Sequence, residues 1–193
     1  MKELKFTKKD YTVKVKDADA ENGYTEETKT SEGILPTRAH DTDAGLDLYS
    51  TRITQETDNS GKMILVYHTD IAVEIPDGYV GLIFMKSSVS RRSVYACNAV
   101  GVIDSCYRGE LMAKYKVSTD AIPTIYQAGE AFAQLLIVPL ELPTPKFVDE
   151  LTETHRGDGG FGSTTKTESN DLFDIIAGKV SIHPDLLAIP CFK

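Results

Sequence analysis

Five short stretches of this 193-residue chain gather polar or charged side chains, four of them beside glycines and the first four at the ends of apolar runs. They are "TDAGLDLYS" (42–50), "MKSSVSRRS" (85–93), "NAVGVIDSCYRGEL" (98–111), "GEAFAQL" (129–135) and "RGDGGFGST" (156–164). Cations and hydroxyls beside glycines suit the handling of phosphate groups. The last stretch poses the question most directly, because Gly157, Gly159 and Gly162 fit the G-x-G-x-x-G spacing of a dinucleotide cradle. That spacing has force only where a strand feeds it and a helix leaves it, since the helix N-terminus attracts the pyrophosphate. Here "FVDELTETH" precedes and "TTKTESN" follows, neither with the required pattern. A kinase glycine loop would need strands on both sides and a downstream lysine strand, and too little chain remains. What survives is a glycine-rich loop carrying Arg156 and Phe161, which needs partners elsewhere.

Taken one at a time, the other four stretches have plain structural explanations. "AGLDL" reads as a turn into a strand, "KSSVSRRS" as a solvated loop, "GVID" as a strand ending in a turn-forming Asp, and "GEAFAQL" as a turn before a buried strand.

The elements that must hold them are strands. From residue 34 to about 147, runs rich in Val, Ile, Leu and Tyr recur between turns: "MILVYHT", "IAVEIP", "YVGLIFM", "SVYACNAVGVI", "ELMAKYKV" and "AFAQLLIVPL". Several alternate apolar with polar, and "IPDGY" and "QAGE" are turn chemistry. This predicts an all-β barrel or sandwich. Residues 17–33, acidic and polar, are expected to be a surface insertion or loop. Near the C-terminus, Leu172, Phe173, Ile175 and Ile176 share roughly one face, with Asn170 or Asp171 as cap and Gly178 as stop, which predicts a short helix.

The composition narrows the function classes. A 41% hydrophobic chain of this length is expected to fold as one domain. With 29 acidic against 21 basic residues, a formal charge of −8 argues against a protein that wraps nucleic acid. A single nucleotide, needing only a few local cations, remains compatible. No run approaches a membrane span and no leader is evident, so a soluble, cytoplasmic protein is expected. Cys97, Cys106 and Cys191 form no C-x-x-C, and His40, His68, His155 and His183 are scattered, which fits neither a disulfide framework nor a structural zinc site.

In this order, and with the glycine loop last, the five stretches resemble the motifs of the trimeric deoxyuridine triphosphatases (dUTPases). The resemblance spans about residues 34–164, and "GVIDSCYRGEL" and "RGDGGFGST" are its most specific parts. It implies a jelly-roll-type distorted β-barrel and a homotrimer with active sites at subunit interfaces. It also implies hydrolysis of dUTP to dUMP and pyrophosphate, which limits uracil incorporation into DNA. The domain would cover 1–164, with a flexible lid at 152–164 and a short helical extension at 165–193.

The resemblance assigns roles residue by residue. Asp104 matches the carboxylate that activates water for attack on the α-phosphate. Asn98, with an amide donor and a carbonyl acceptor, matches the reader of the uracil edge, beside an Ala99–Gly101 hairpin that leaves no room for a 5-methyl group. Gly101, Val102, Ile103 and Met112 are further expected substrate-binding positions, and Tyr107 matches the residue that packs on the deoxyribose. Lys86, Ser87, Ser88 and Gln134 fall at phosphate-binding positions. In the lid, Phe161 would stack on uracil, Arg156 would pair with the γ-phosphate, and Gly162 and Ser163 would donate hydrogen bonds. Asp47 is expected to support the site without touching substrate. Mg²⁺ is expected as a cofactor held by substrate phosphates and water, with no protein metal ligands.

The chain departs from the family pattern at Lys86 and Ala131, where arginine is usual, and lysine lacks the planar fork that grips phosphate bidentately. Arg91 or Arg92 are candidates to compensate. "KSSVSR" also resembles the dCTP deaminases of the same fold, but Lys114 stands where those enzymes need a glutamate. A non-catalytic, protein-binding role is the remaining alternative, with the 165–193 extension as its candidate docking segment.

Overall fold

The computed structural model describes residues 3–16, 24–118 and 122–160. In chain order the strands are β1 (Lys5–Lys8), β2 (Tyr11–Lys16), β3 (Tyr24–Lys29), β4 (Leu46–Tyr49), β5 (Arg52–Thr57), β6 (Met63–His68), β7 (Ile71–Glu74), β8 (Tyr79–Met85), β9 (Val94–Ala96), β10 (Gly101–Ile103), β11 (Met112–Val117) and β12 (Ala131–Pro139). A single 3-10 turn, Ser87–Arg91, follows β8. Among the described residues no helix is long and apolar enough to cross a membrane. The all-β class expected from the alternating runs is what forms.

Every pairing is antiparallel. One four-stranded sheet runs β5-β6-β11-β9 and another runs β10-β8-β12-β4, while β1 pairs with β7 and β2 with β3. Tyr67 on β6 and Tyr115 on β11 meet Phe132 on β12, so the core joins the two larger sheets. Tyr67 stacks on Phe132 with ring centroids 5.1 Å apart and meets Tyr115 edge-on at 5.1 Å. All three rings are fully buried, with Tyr126 against them. The Tyr115 hydroxyl donates to the Phe132 carbonyl at 2.9 Å, and burial pushes its pKa well above the ordinary value. An aromatic layer of this kind contributes both apolar burial and edge-to-face contacts of about 0.5–1.5 kcal/mol per pair.

Turn chemistry sets the strand ends. The "QAGE" turn closes with Glu130 N–H donating to Gln127 O, and Gly129 sits at φ +86°, a conformation that side chains resist. Gly129 N–H also donates to Ser50 O at 2.6 Å, which fixes the start of β12 against the end of β4.

Two expectations are corrected. Residues 24–29, expected within a surface insertion or loop, are at the surface but form a strand, β3, paired residue for residue with β2. The hairpin buries neither face of β3, so its sequence carries no apolar alternation to read. Just beyond it, Ser31 and Gly33 are buried rather than on the surface. The run "SVYACNAVGVI" is two strands, and Ala99–Gly101 is not a hairpin: β9 pairs with β11 and β10 with β8. The chain turns a corner at Cys97–Val100 and passes from one sheet to the other.

The chain divides into two compact units, Met1–Pro143 and Thr144–Lys193. The first holds all twelve described strands. In the second, residues 154–159 form consecutive turns, with Gly157 N–H donating to Thr154 O and Gly159 N–H to Arg156 O, both at 3.1 Å. The expected helix with Leu172, Phe173, Ile175 and Ile176, its cap at Asn170 or Asp171 and its stop at Gly178 lie outside the described residues, as do residues 17–23, His183 and Cys191.

Candidate active site

The first cavity opens where the corner between β9 and β10 faces β8 and β11. It has a volume of about 370 Å³, and Phe84, Met85, Asn98, Gly101, Met112 and Tyr115 are among its lining residues. The walls are largely apolar, while Asn98 offers a carboxamide. Its Nδ2 donates to Val100 O at 3.0 Å, which braces the corner and leaves Oδ1 as an acceptor. Of the residues expected to bind substrate, Asn98, Gly101, Ile103 and Met112 all line this cavity. Val102 does not, because strand alternation turns it outward, 63% exposed.

Asp104 follows Ile103 directly at the end of β10. Its carbonyl accepts from Tyr107 N–H at 3.0 Å, so residues 104–107 form a tight turn. Asp104 is exposed, and its carboxylate makes no hydrogen bond or ion pair among the described residues, which leaves it available as a proton acceptor. Tyr107 folds back over Gly109, and its hydroxyl donates to Glu110 O at 3.1 Å. A Cβ on Gly109 would lie 2.3 Å from Tyr107 Cζ, so any side chain there would push the ring from this seat.

A second groove, about 350 Å³, gathers residues from three of the stretches: Asp43, Gly45 and Asp47, then Lys86, then Gln134. Gln134 on β12 stands opposite both Asp47 on β4 and Phe84 on β8. Lys86 Nζ lies 2.5 Å from Asp47 Oδ1. Because Phe84 and Met85 line the first cavity and Lys86 lines the second groove, the end of β8 connects the two.

The 3-10 turn divides the two expected serines. Ser87 is exposed with its hydroxyl unpaired among the described residues, whereas Ser88 Oγ lies 3.0 Å from Tyr126 Oη. Arg92 is not a spare cation. It donates to Ile125 O at 3.0 Å and to Glu130 Oε1 at 2.9 Å, with its guanidinium over the Tyr126 ring. Glu130 also accepts from Gln127 N–H, and this bond, then Arg92, holds its pKa below the ordinary value. Arg91 is exposed and makes no such contacts. No local signal marks Tyr126 and Glu130 as the partners of Arg92, since both lie far from it in the chain.

Lys114 lines the first cavity, and its ammonium pairs with Glu56 at 2.5 Å, so no carboxylate replaces it as a base on β11. In the second unit, Arg156 Nε donates to Gly159 O at 2.8 Å. Phe161, Gly162 and Ser163 lie outside the described residues. Cys97 and Cys106 are exposed free thiols. Among the described residues no three His, Cys, Asp or Glu side chains are grouped to hold a metal ion.

The chain is also similar to known proteins. The dUTPase family model matches residues 31–165. A deoxyuridine 5'-triphosphate nucleotidohydrolase of Mycolicibacterium vanbaalenii is 43% identical over 136 residues, covering 67% of this chain and 86% of that protein. Among solved structures, a variant of the Staphylococcus bacteriophage 80alpha dUTPase with dUpNHpp superposes with a TM-score of 0.62 at 27% identity, covering 85% of this chain and 99% of that one. A variant dUTPase from phage phi11 of S. aureus, described for its coordination of a structural Mg(II) ion, gives 0.55 at 27% identity over 77% of this chain and 98% of that one. With the motifs in order, their residues on adjoining strands and a family match over most of its length, this chain belongs to the dUTPase family.

Proposed function

We propose that this protein hydrolyses dUTP to dUMP and pyrophosphate, and so limits uracil incorporation into DNA. The observation that carries the reading is the continuity along β8, from an apolar cavity with one carboxamide to a groove with a lysine and a glutamine. A nucleotide has the same two-part character. Uracil occupies the first cavity, where Asn98 Oδ1 accepts from the ring N3–H, and the close wall at Ala99 and Gly101 excludes a 5-methyl group. Tyr107 packs on the deoxyribose. Lys86, Ser87 and Gln134 hold the phosphates, with Ser88 contributing when its hydroxyl turns from Tyr126.

Asp104 takes a proton from a water molecule as the water oxygen attacks the α-phosphorus. The new P–O bond forms as the bond to the bridging oxygen breaks, and pyrophosphate leaves with that electron pair. Positioned proton transfer of this kind contributes roughly 10²–10⁴-fold to the rate. The family resemblance assigns Arg156 to the γ-phosphate, and Phe161, Gly162 and Ser163 to the base and phosphates.

Mg²⁺ would be carried by the triphosphate, with Asp43, Asp47 and the Gln134 amide as the nearby oxygen groups of the groove. It would supply charge neutralisation at the phosphate oxygens. The working unit is a homotrimer with sites completed between subunits, a reading supported by family membership and by exposed apolar side chains such as Val102 and Leu142.

The test is incubation of the purified protein and Mg²⁺ with dUTP, dCTP, dTTP and UTP, following pyrophosphate release and base identity. Pyrophosphate from dUTP alone is expected. Uracil nucleotide from dCTP, or no turnover of any substrate, would overturn the reading.

A further inference from the structure

Outside the two cavities lies a cluster of charged side chains that the mechanism above does not use. Asp70, between β6 and β7, is almost wholly buried at 1% exposure and takes φ +52°, a conformation side chains rarely adopt. Its carboxylate accepts from Thr51 Oγ1 at 2.7 Å and from Arg52 Nε at 2.9 Å. Arg52 Nη2 continues to Glu110 Oε2 at 3.3 Å, while Glu110 Oε1 accepts from Asp70 N–H at 2.9 Å. His68 Nδ1 lies 3.2 Å from Glu110 Oε2, and an ionised carboxylate only accepts, so Nδ1 carries a proton. Nε2 lies 2.8 Å from Thr54 Oγ1.

Glu110 thus carries three anchors on one carboxylate, and it closes the loop that begins at Asp104. The same short segment is stitched again by Leu111 N–H donating to Ile71 O and by Thr69 Oγ1 donating to Leu111 O. At the other end the loop leaves β10, which is held by β8. Between these fixed ends, Tyr107 bonds both to Asp104 O and, through its hydroxyl, to Glu110 O. A displaced Glu110 would therefore shift the acceptor of the Tyr107 hydroxyl and, through the 104–107 turn, the Asp104 carboxylate.

From this geometry we infer that Glu110, clamped by Arg52, His68 and the Asp70 N–H, is a positioning residue that sets the catalytic loop between Asp104 and Tyr107. The inference rests on the hydrolase reading above. The clamp reaches beyond the segment matched by the family model, since the Tyr11 ring covers the Arg52 guanidinium at 4.2 Å and Lys9 N–H donates to Asp70 O at 2.8 Å. The N-terminal strands thereby back the loop from behind. A small displacement of reacting groups is enough to cost about 10²-fold in rate.

The test compares full-length wild type, Glu110→Ala, Glu110→Gln and Leu65→Ala in steady-state turnover of dUTP, at a temperature where each is folded by circular dichroism. Leu65→Ala is a core truncation in β6 that removes none of the cluster's hydrogen-bonding groups. Glu110→Ala is expected to lower kcat by tenfold or more with KM within about threefold. Glu110→Gln keeps one oxygen for the Asp70 N–H and is expected to recover at least threefold of that loss. Leu65→Ala is expected to keep kcat within twofold despite lower thermal stability. An active wild type with unchanged kcat in Glu110→Ala, or an equal kcat loss in Leu65→Ala, would overturn the positioning role. A wild type inactive on dUTP would instead overturn the hydrolase reading on which it rests.

Discussion

Lys86 and Asp47 stand 39 residues apart in sequence, yet Lys86 Nζ donates to Asp47 Oδ1 at 2.5 Å across the groove that also holds Gln134. The lysine is thus held at the groove before any phosphate arrives, and both partners are only about a quarter exposed or less. Replacing Lys86 with Met removes the cation and leaves Asp47 facing the phosphates. The expected outcome is a loss of about 1.5–3 kcal/mol in kcat/KM, the range for a hydrogen bond to a charged group. Steady-state kinetics with dUTP measures it, and an unchanged kcat/KM would contradict the assignment of Lys86.

Asp104→Asn keeps the size of the side chain and removes its basicity. A fall in kcat of about 10²–10⁴ is expected with KM little changed, since the proton acceptor acts in the transition state. An intact kcat would assign the base elsewhere.

Gly109→Ala places a Cβ 2.2 Å from the Tyr107 hydroxyl, so the ring must leave its seat and its bond to Glu110 O. Loss of that packing should relax discrimination against the ribose 2′-hydroxyl. The ratio of kcat/KM for dUTP over UTP is expected to fall by roughly tenfold, equivalent to ~1.4 kcal/mol.

Arg92 and Arg91 are adjacent, but only Arg92 is engaged, with Glu130, Ile125 O and the Tyr126 ring. Arg92→Ala is expected to lower stability by about 1–3 kcal/mol, and Arg91→Ala by less than about 0.5 kcal/mol. Urea denaturation of the two variants side by side separates them. Equal effects would mean that the Arg92 contacts carry no weight.

The acid limb of stability should report Glu110. Burial pushes its carboxyl up, but the His68 hydrogen bond, the Asp70 N–H and the charges of His68 and Arg52 outweigh this, leaving it below the ordinary 4.5. A depressed carboxyl in the folded state contributes stability that is present above its unfolded pKa and lost as pH falls through the folded one. Wild type should therefore lose melting temperature more steeply below about pH 4.5 than Glu110→Gln does. Parallel curves would show that the ionised carboxylate contributes nothing.

How far the sequence revealed this arrangement depended on the range of the forces involved. Strands such as β6, β8 and β12 were legible because each buries a face and so alternates or runs apolar. β3 was not, since "YTEETK" is exposed throughout and is held only by its ladder with β2. The corner at Cys97–Val100 was hidden inside an unbroken β-like run, because which sheet a strand joins is decided by distant partners. Asp47, Lys86 and Gln134 could be linked through motif order, and the strands do bring them into one groove. The engagement of Ser88 with Tyr126, of Arg92 with Glu130, and of Glu110 with Arg52 left no local trace. Each is a contact between chain segments with no shared periodicity.

Tyr115 belongs to two places at once: one part of it lines the cavity beside Asn98, and the same ring is packed among Tyr67, Tyr126 and Phe132. The gap offered to the base is consequently a caliper setting, fixed by the thickness of the aromatic layer behind it. Base selectivity and fold stability are therefore inherited together, and a change in the four rings of that layer, far from any phosphate, would register as a change in which pyrimidine is admitted.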